Sequence, residues 1–279
     1  MRHDEGKLAR RAGGGPALHF YVTLPEGPVK AAVGLLHGYA DHGARYAHVL
    51  DAWAERGIAS VAVDMRGHGR AEGDRGFCER FDEYLADAAE LVPLLKERAP
   101  GVHAFLVGHS FGGLVAASSA LADPSPWRGL VLSGPFFGLA LQVPAIKLLA
   151  GKLASRLAPR FGQPSGLRGS ALTHDAERAR AYDEDPLVFK NTNARWFTES
   201  QKAQARALAG APSLRLPLYL VIGAADPIVS VPSARAFYDA AGSRDRTWDA
   251  REGLLHEVLN EPEWRPIADR IAEWVLAHA

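Results

Sequence analysis

Ser110 stands in Gly108-His109-Ser110-Phe111-Gly112, between an apolar run at residues 102–107 and a small-residue stretch that starts at Leu114. A strand-length run, then G-x-S-x-G, then a helix is the order that presents a serine on a sharp strand-to-helix turn. Such a turn strains the serine backbone, and the flanking glycines remove the Cβ atoms that would collide there. The hydroxyl is lifted above the sheet, and the next backbone N–H, that of Phe111, points at the oxygen of the reacting carbonyl. A serine hydroxyl is a weak nucleophile until a base takes its proton. A neutral histidine is the usual base. A carboxylate behind it sets the tautomer and stabilises the imidazolium.

Active groups of open parallel sheets sit beyond the carboxyl ends of strands. That rule selects Asp226, in V-I-G-A-A-D-P-I-V after the strand-like residues 218–222, and His256, in R-E-G-L-L-H-E-V before the last helix. A developing oxyanion needs two N–H donors. One is Phe111. The other is expected in the loop that His37-Gly38 opens, at Tyr39, with Ala40 as the neighbouring choice. His37 is expected to order that loop, and His68 and His109 to be structural. Asp41 and His42 are too few to make a zinc site, and neither G-x-G-x-x-G after a first strand nor a Walker A motif is present. No cofactor and no metal is expected.

The chain has 279 residues, 47% of them hydrophobic, enough for one large α/β domain or two small ones. Lys+Arg and Asp+Glu both number 32, and without a basic excess nucleic acid is not an expected partner. Cys78 is the single cysteine, so an internal disulfide is excluded. No apolar run approaches the roughly 18 residues of a membrane span, and the N-terminal residues lack the apolar stretch of a signal peptide. A cytoplasmic protein is expected.

Strand composition recurs at residues 18–24, 29–36, 58–63, 102–107, 129–133, 218–222 and 247–250. Helical spacing is seen at 45–56, 81–99, 114–121, 195–209, 231–241 and 264–278. This alternation predicts an α/β class with a mostly parallel sheet covered on both faces. Residues 136–210 carry no strand of the earlier kind and read as a helical cap inserted into a core made of 16–135 and 211–279. Residues 1–15, charged then glycine-rich, are expected to be mobile. In the cap, Ile146, Leu149, Leu153 and Leu157 form one stripe beside Lys147, Lys152 and Arg156. The favoured reading packs that stripe on the core. The competing one sets it transiently on an anionic lipid surface.

With these residues in view, the sequence resembles the monoacylglycerol lipase and lysophospholipase group of the α/β-hydrolase fold. The likeness is carried by H-G-Y-A-D-H-G-A-R-Y (37–46), D-M-R-G-H-G-R-A-E-G-D-R-G (64–76), G-H-S-F-G-G (108–113), G-A-A-D-P-I-V (223–229) and G-L-L-H-E (253–257), with further similarity over residues 172–199. The resemblance implies an α/β-hydrolase fold, with Ser110 as nucleophile, Asp226 and His256 completing a triad, and Tyr39 and Phe111 donating to the oxyanion. It implies a lipid ester as substrate, cleaved through an acyl-enzyme. Two positions depart from the group: Phe111 stands where Met is usual, and Tyr39 where a small residue is common. Competing readings are a short-chain carboxylesterase, a peptidase using Glu177, Asp183, Glu184 or Asp185 to hold an amine, and a binder without turnover. An epoxide hydrolase or dehalogenase is disfavoured, because the elbow carries Ser rather than Asp.

Overall fold

Strands rich in Ala, Val, Ile and Leu and buried on both faces form the middle of the molecule, as a parallel sheet covered by helices requires. The computed structural model describes residues 1–9, 14–141 and 145–279. In chain order come β1 (Arg2–Leu8), β2 (Leu18–Leu24), β3 (Ala31–Leu36), α1 (Ala47–Glu55), β4 (Ile58–Asp64), α2 (Asp82–Ala89), α3 (Leu91–Arg98), β5 (Ala104–His109), α4 (Phe111–Ala122) and β6 (Gly129–Ser133). Then follow α5 (Ala145–Leu157), β7 (Gly162–Pro164), α6 (Ala176–Glu184), β8 (Asn191–Asn193), α7 (Ala194–Gly210), β9 (Leu218–Gly223), α8 (Val231–Ala240), β10 (Arg246–Arg251) and α9 (Trp264–Ala277). Among the described residues an eight-stranded sheet runs β1-β2-β4-β3-β5-β6-β9-β10, parallel from β4 to β10, with β2 antiparallel to β4 and β1 antiparallel to β2. One apolar core lies under α2, α3, α4 and α8, and a second under α1 and α9. The strand order reverses between β3 and β5, which places the crevice of a doubly wound sheet at their carboxyl ends.

Four expectations need correction. Residues 2–8 are not mobile: they form β1, in register with β2 from Arg2↔Leu24 to Leu8↔Leu18. Its charges are those of an exposed edge strand, and they pair outward, Asp4 with Arg98, Glu5 with Arg70 and Lys7 with Glu72. Residues 10–13 of that segment lie outside the described residues. The helix expected over 81–99 is two helices. Pro93 has no N–H and its ring crowds the carbonyl four residues back, that of Ala89, where α2 ends. The insertion also contains strands, β7 and β8, each three residues long and paired antiparallel; at that length no periodicity marks them in a sequence.

The fourth correction concerns the stripe of α5. Ile146, Leu149, Leu153 and Leu157 do not pack on the core; they are 73%, 64%, 58% and 77% exposed. The opposite face of the helix, with buried Ser155, is the one seated on α7. Lys152 and Arg156 flank the exposed stripe; the Lys147 side chain lies outside the described residues.

Candidate active site

Ser110 sits where β5 turns into α4, with φ 53° and ψ −118°. Only strong surrounding packing holds a non-glycine residue there. Gly108 and Gly112 make the turn possible by close approach. A Cβ on Gly108 would meet the Gly112 carbonyl oxygen at 2.3 Å, and one on Gly112 would meet the carbonyl oxygens of Leu36 and His37 at 2.3 Å. The second contact brings the elbow against the loop after β3, so both sides of the site share one steric requirement.

His256 reaches Ser110 from the loop after β10. Its Nε2 lies 2.9 Å from Ser110 Oγ, and its Nδ1 lies 2.7 Å from Asp226 Oδ2. Asp226, after β9, is held by its other oxygen, which accepts the N–H groups of Ile228 at 2.8 Å and Val229 at 3.0 Å. All three side chains are buried. Burial alone would lower the His256 pKa, but the Asp226 carboxylate, helped by Glu257 and Asp41, outweighs it and raises the pKa above the ordinary imidazole value. Burial pushes Asp226 the other way, yet His256 and the two backbone donors hold its pKa low. The carboxylate therefore stays ionised behind the ring.

The Phe111 N–H is the first of α4 and has no carbonyl one turn back. The Tyr39 N–H finds no acceptor among the described residues. Ala40, beside it, has φ 53°, and the loop packs against Ser110, whose Cβ is 3.4 Å from where a side chain on Gly38 would start, an ordinary contact distance. The other histidines are fixed by their partners. His37 Nε2 accepts from the Met65 N–H at 3.0 Å, so its Nδ1, 2.7 Å from the Gly38 carbonyl, is the donor. Burial lowers the pKa of His37, and pushes that of His68 down to about 3 and that of His109 to about 4. His68 bonds the Arg66 carbonyl and His109 the Ser133 hydroxyl. Asp41 and His42 form no metal cluster; among the described residues there is none. Asp41 instead binds the N–H groups of Gly38 and His42, the Tyr46 hydroxyl and Arg45.

Sequence reasoning missed Arg45 and Glu257, whose forked ion pair (2.8 and 2.7 Å) lies beside His256. Glu257 was visible as the neighbour of His256, but burial of a charge leaves no mark in a sequence. The roof of the site is aromatic: Trp196 of α7 stacks on Tyr39 at 3.6 Å and lies parallel to Phe136 at 6.0 Å. A cavity of about 170 Å³ opens beside it, lined by Phe136, Leu139, Leu141, Leu148, Phe197, Gln201 and Gln204. A larger groove of about 440 Å³ lies at the opposite end of the strands, by Lys96, Val102 and Trp127, away from Ser110.

A family model described as serine aminopeptidase, S33 (Hydrolase_4) matches residues 27–263. The chain belongs to this family. It is 31% identical over 274 residues to the monoacylglycerol lipase of Mycolicibacterium smegmatis, covering 95% of each chain. It is 29% identical to a phospholipase of Bacillus subtilis, over 84% of this chain and 90% of that one. Among solved structures, a monoacylglycerol lipase from Paleococcus ferrophilus superposes with a TM-score of 0.83 at 26% identity, over 100% of both chains. The hydrolase therefore has the α/β-hydrolase fold expected from its motifs. Among its described residues no helix is long and apolar enough to cross a membrane.

Proposed function

We propose that this hydrolase cleaves the carboxylic ester of monoacylglycerols or lysophospholipids through an acyl-enzyme on Ser110. The observation that carries the reading is the unbroken hydrogen-bonded chain from Ser110 Oγ through His256 to Asp226. His256 takes the hydroxyl proton as Ser110 attacks the carbonyl carbon, and Asp226 stabilises the imidazolium that forms. The N–H groups of Tyr39 and Phe111 receive the oxyanion. His256 then protonates the departing alcohol. A water, deprotonated by the same ring, releases the fatty acid and restores Ser110. The relatives named lipase and phospholipase support the choice of substrate, as does the apolar lining beside the site, since each buried methylene contributes about 0.8 kcal/mol.

We further propose that residues 136–210 act as a lid, with Trp196 and Phe136 lying over the site. Its exposed stripe on α5, flanked by Lys152 and Arg156, suits transient contact with an anionic lipid surface from the cytoplasmic side. The small volume beside the site favours one competing reading, a short-chain carboxylesterase. A peptidase finds no support in the lid acids. Asp183 accepts the Gly169 N–H, Asp185 the Leu187 N–H and His42, and Glu177 and Glu184 are exposed. The test is a chain-length series of monoacylglycerols and nitrophenyl esters scored by kcat/KM. A maximum at medium or long acyl chains is expected, and a maximum at acetate with no monoacylglycerol turnover would replace this reading with the short-chain one.

A further inference from the structure

Beside the triad lies a cluster of buried charges that the hydrolysis, as written above, does not use. The Arg45 guanidinium donates to both oxygens of Glu257, at 2.8 and 2.7 Å, and to Asp41 Oδ1 at 2.8 Å. Asp41 and Glu257 are 2% and 4% exposed. Burial would raise their pKa values, but Arg45 holds both carboxyls low and ionised. Burying such a cluster gives a fold little that packed apolar residues would not. Its placement has a second consequence, which is geometric.

Each carboxylate grips a different part of the site. Asp41 Oδ2 accepts the Gly38 N–H at 3.1 Å and the Tyr46 hydroxyl at 2.8 Å, and Oδ1 accepts the His42 N–H at 2.8 Å. It thus holds both ends of the segment containing the Tyr39 N–H and the left-handed Ala40. Glu257 follows His256 directly in the chain. Its N–H donates to the Leu172 carbonyl of the insertion at 2.8 Å, and its Oε2 also accepts from the Asn260 side chain at 2.8 Å. The Tyr182 ring of α6 covers the guanidinium at 4.8 Å. One planar fork therefore joins segments 212 residues apart, and an ammonium has no such fixed geometry.

We propose that Arg45 is a positioning residue for the hydrolysis: it locks the loop bearing the Tyr39 donor to the loop bearing His256, so that oxyanion donor and base keep one fixed separation. The proposal rests on the roles given above to Ser110, His256 and Tyr39. Arg45 touches neither the triad side chains nor the cavity lined by Phe136, Leu139 and Phe197. Its loss should therefore appear in kcat and leave KM alone. Misplacing a reacting group by about 1 Å can cost on the order of 100-fold in rate.

The experiment uses the full chain with a medium-chain nitrophenyl ester, and measures kcat, KM and thermal unfolding. Arg45→Lys keeps the charge and loses the fork. Arg45→Met combined with Glu257→Gln keeps the net charge of the cluster and removes the tie; the buried Asp41 loses its ion pair but keeps the Gly38 and His42 N–H groups and the Tyr46 hydroxyl. Arg56→Met, which removes two surface ion pairs between the end of α1 and α9, is the control. Expected are folded proteins, a roughly 10-fold lower kcat for Arg45→Lys and a roughly 100-fold lower kcat for the double variant, KM within about twofold, and an unchanged control. A kcat within twofold of wild type in both folded variants overturns the proposal, as does a loss confined to KM. Ser110→Ala is run alongside. If it is inactive while the Arg45 variants are unaffected, the positioning role alone fails. If it retains full activity, the nucleophile assignment fails and Arg45 has nothing to position.

Discussion

The two halves of the insertion are built differently. The half from residue 169 onward is bonded to the core at many points. Buried Glu261 accepts from the Thr173 hydroxyl, the His174 N–H and the Leu255 N–H, the last next to His256. His42 bonds Asp185, Arg178 bonds Asn260, and Asn193 bonds the Gly76 carbonyl. The other half, α5, is seated on α7: Ser155 bonds Thr198 and Arg195, while its leucine stripe faces outward. Fixed roof and outer flap thus divide the work expected of a lid. In the proposed reading the first holds the site in shape, and the second is the part that would meet lipid.

The comparison can be broken at its fixed end first. Asp226→Asn keeps the shape of the site but removes the charge that sets the His256 tautomer. It should lower kcat by roughly 10⁴-fold with little change in KM. A loss under tenfold in steady-state kinetics would detach Asp226 from the chemistry. Next in size is Glu261→Ala, which strips several buried donors of their acceptor. A loss of about 3 kcal/mol in urea unfolding is expected. A change below about 0.5 kcal/mol would mean that the inner half is not anchored there.

The pH dependence sharpens the same end. In the proposed mechanism His256 works as a neutral base, and its pKa is raised. The acid limb of kcat/KM should therefore lie on the alkaline side of an unperturbed histidine, about pH 6.5, and move to lower pH in Asp226→Asn. Stability runs the opposite way. A raised folded pKa means the His256–Asp226 pair stabilises fully below the unfolded histidine value and loses that contribution as pH rises through the folded one. Urea unfolding of wild type against His256→Ala at about pH 6 and about pH 8 should show the difference shrinking at the higher pH.

The smallest effect on the fold is expected at the outer half. Leu149→Ser with Leu153→Ser removes apolar groups already in water, so unfolding should change by less than about 0.5 kcal/mol. Sedimentation with anionic vesicles should fall severalfold. Unchanged vesicle binding would leave the stripe without a lipid partner.

What the sequence disclosed follows the same division. Strands such as β3 and β9 are buried on both faces and read as apolar runs. Ser110 announces itself because a strained elbow demands Gly108 and Gly112, and Asp226 and His256 follow from their places after strands. Periodicity found the stripe of α5 but not what it faces, because a helical pattern names a side and not a neighbour. The charges of β1 look like those of a loose tail, since an edge strand and a solvated segment carry the same residues. Arg45 and Asp41 were equally hidden, because nothing local distinguishes a buried ion pair from a surface one.

The central claim is that His256 and Asp226 make Ser110 reactive. Labelling by a fluorophosphonate, followed by mass spectrometry in wild type and His256→Ala, tests it most directly. The account predicts one adduct per chain, on Ser110, formed at least roughly 10³-fold more slowly in the variant. An adduct on another residue, or equal rates in the two proteins, would contradict it.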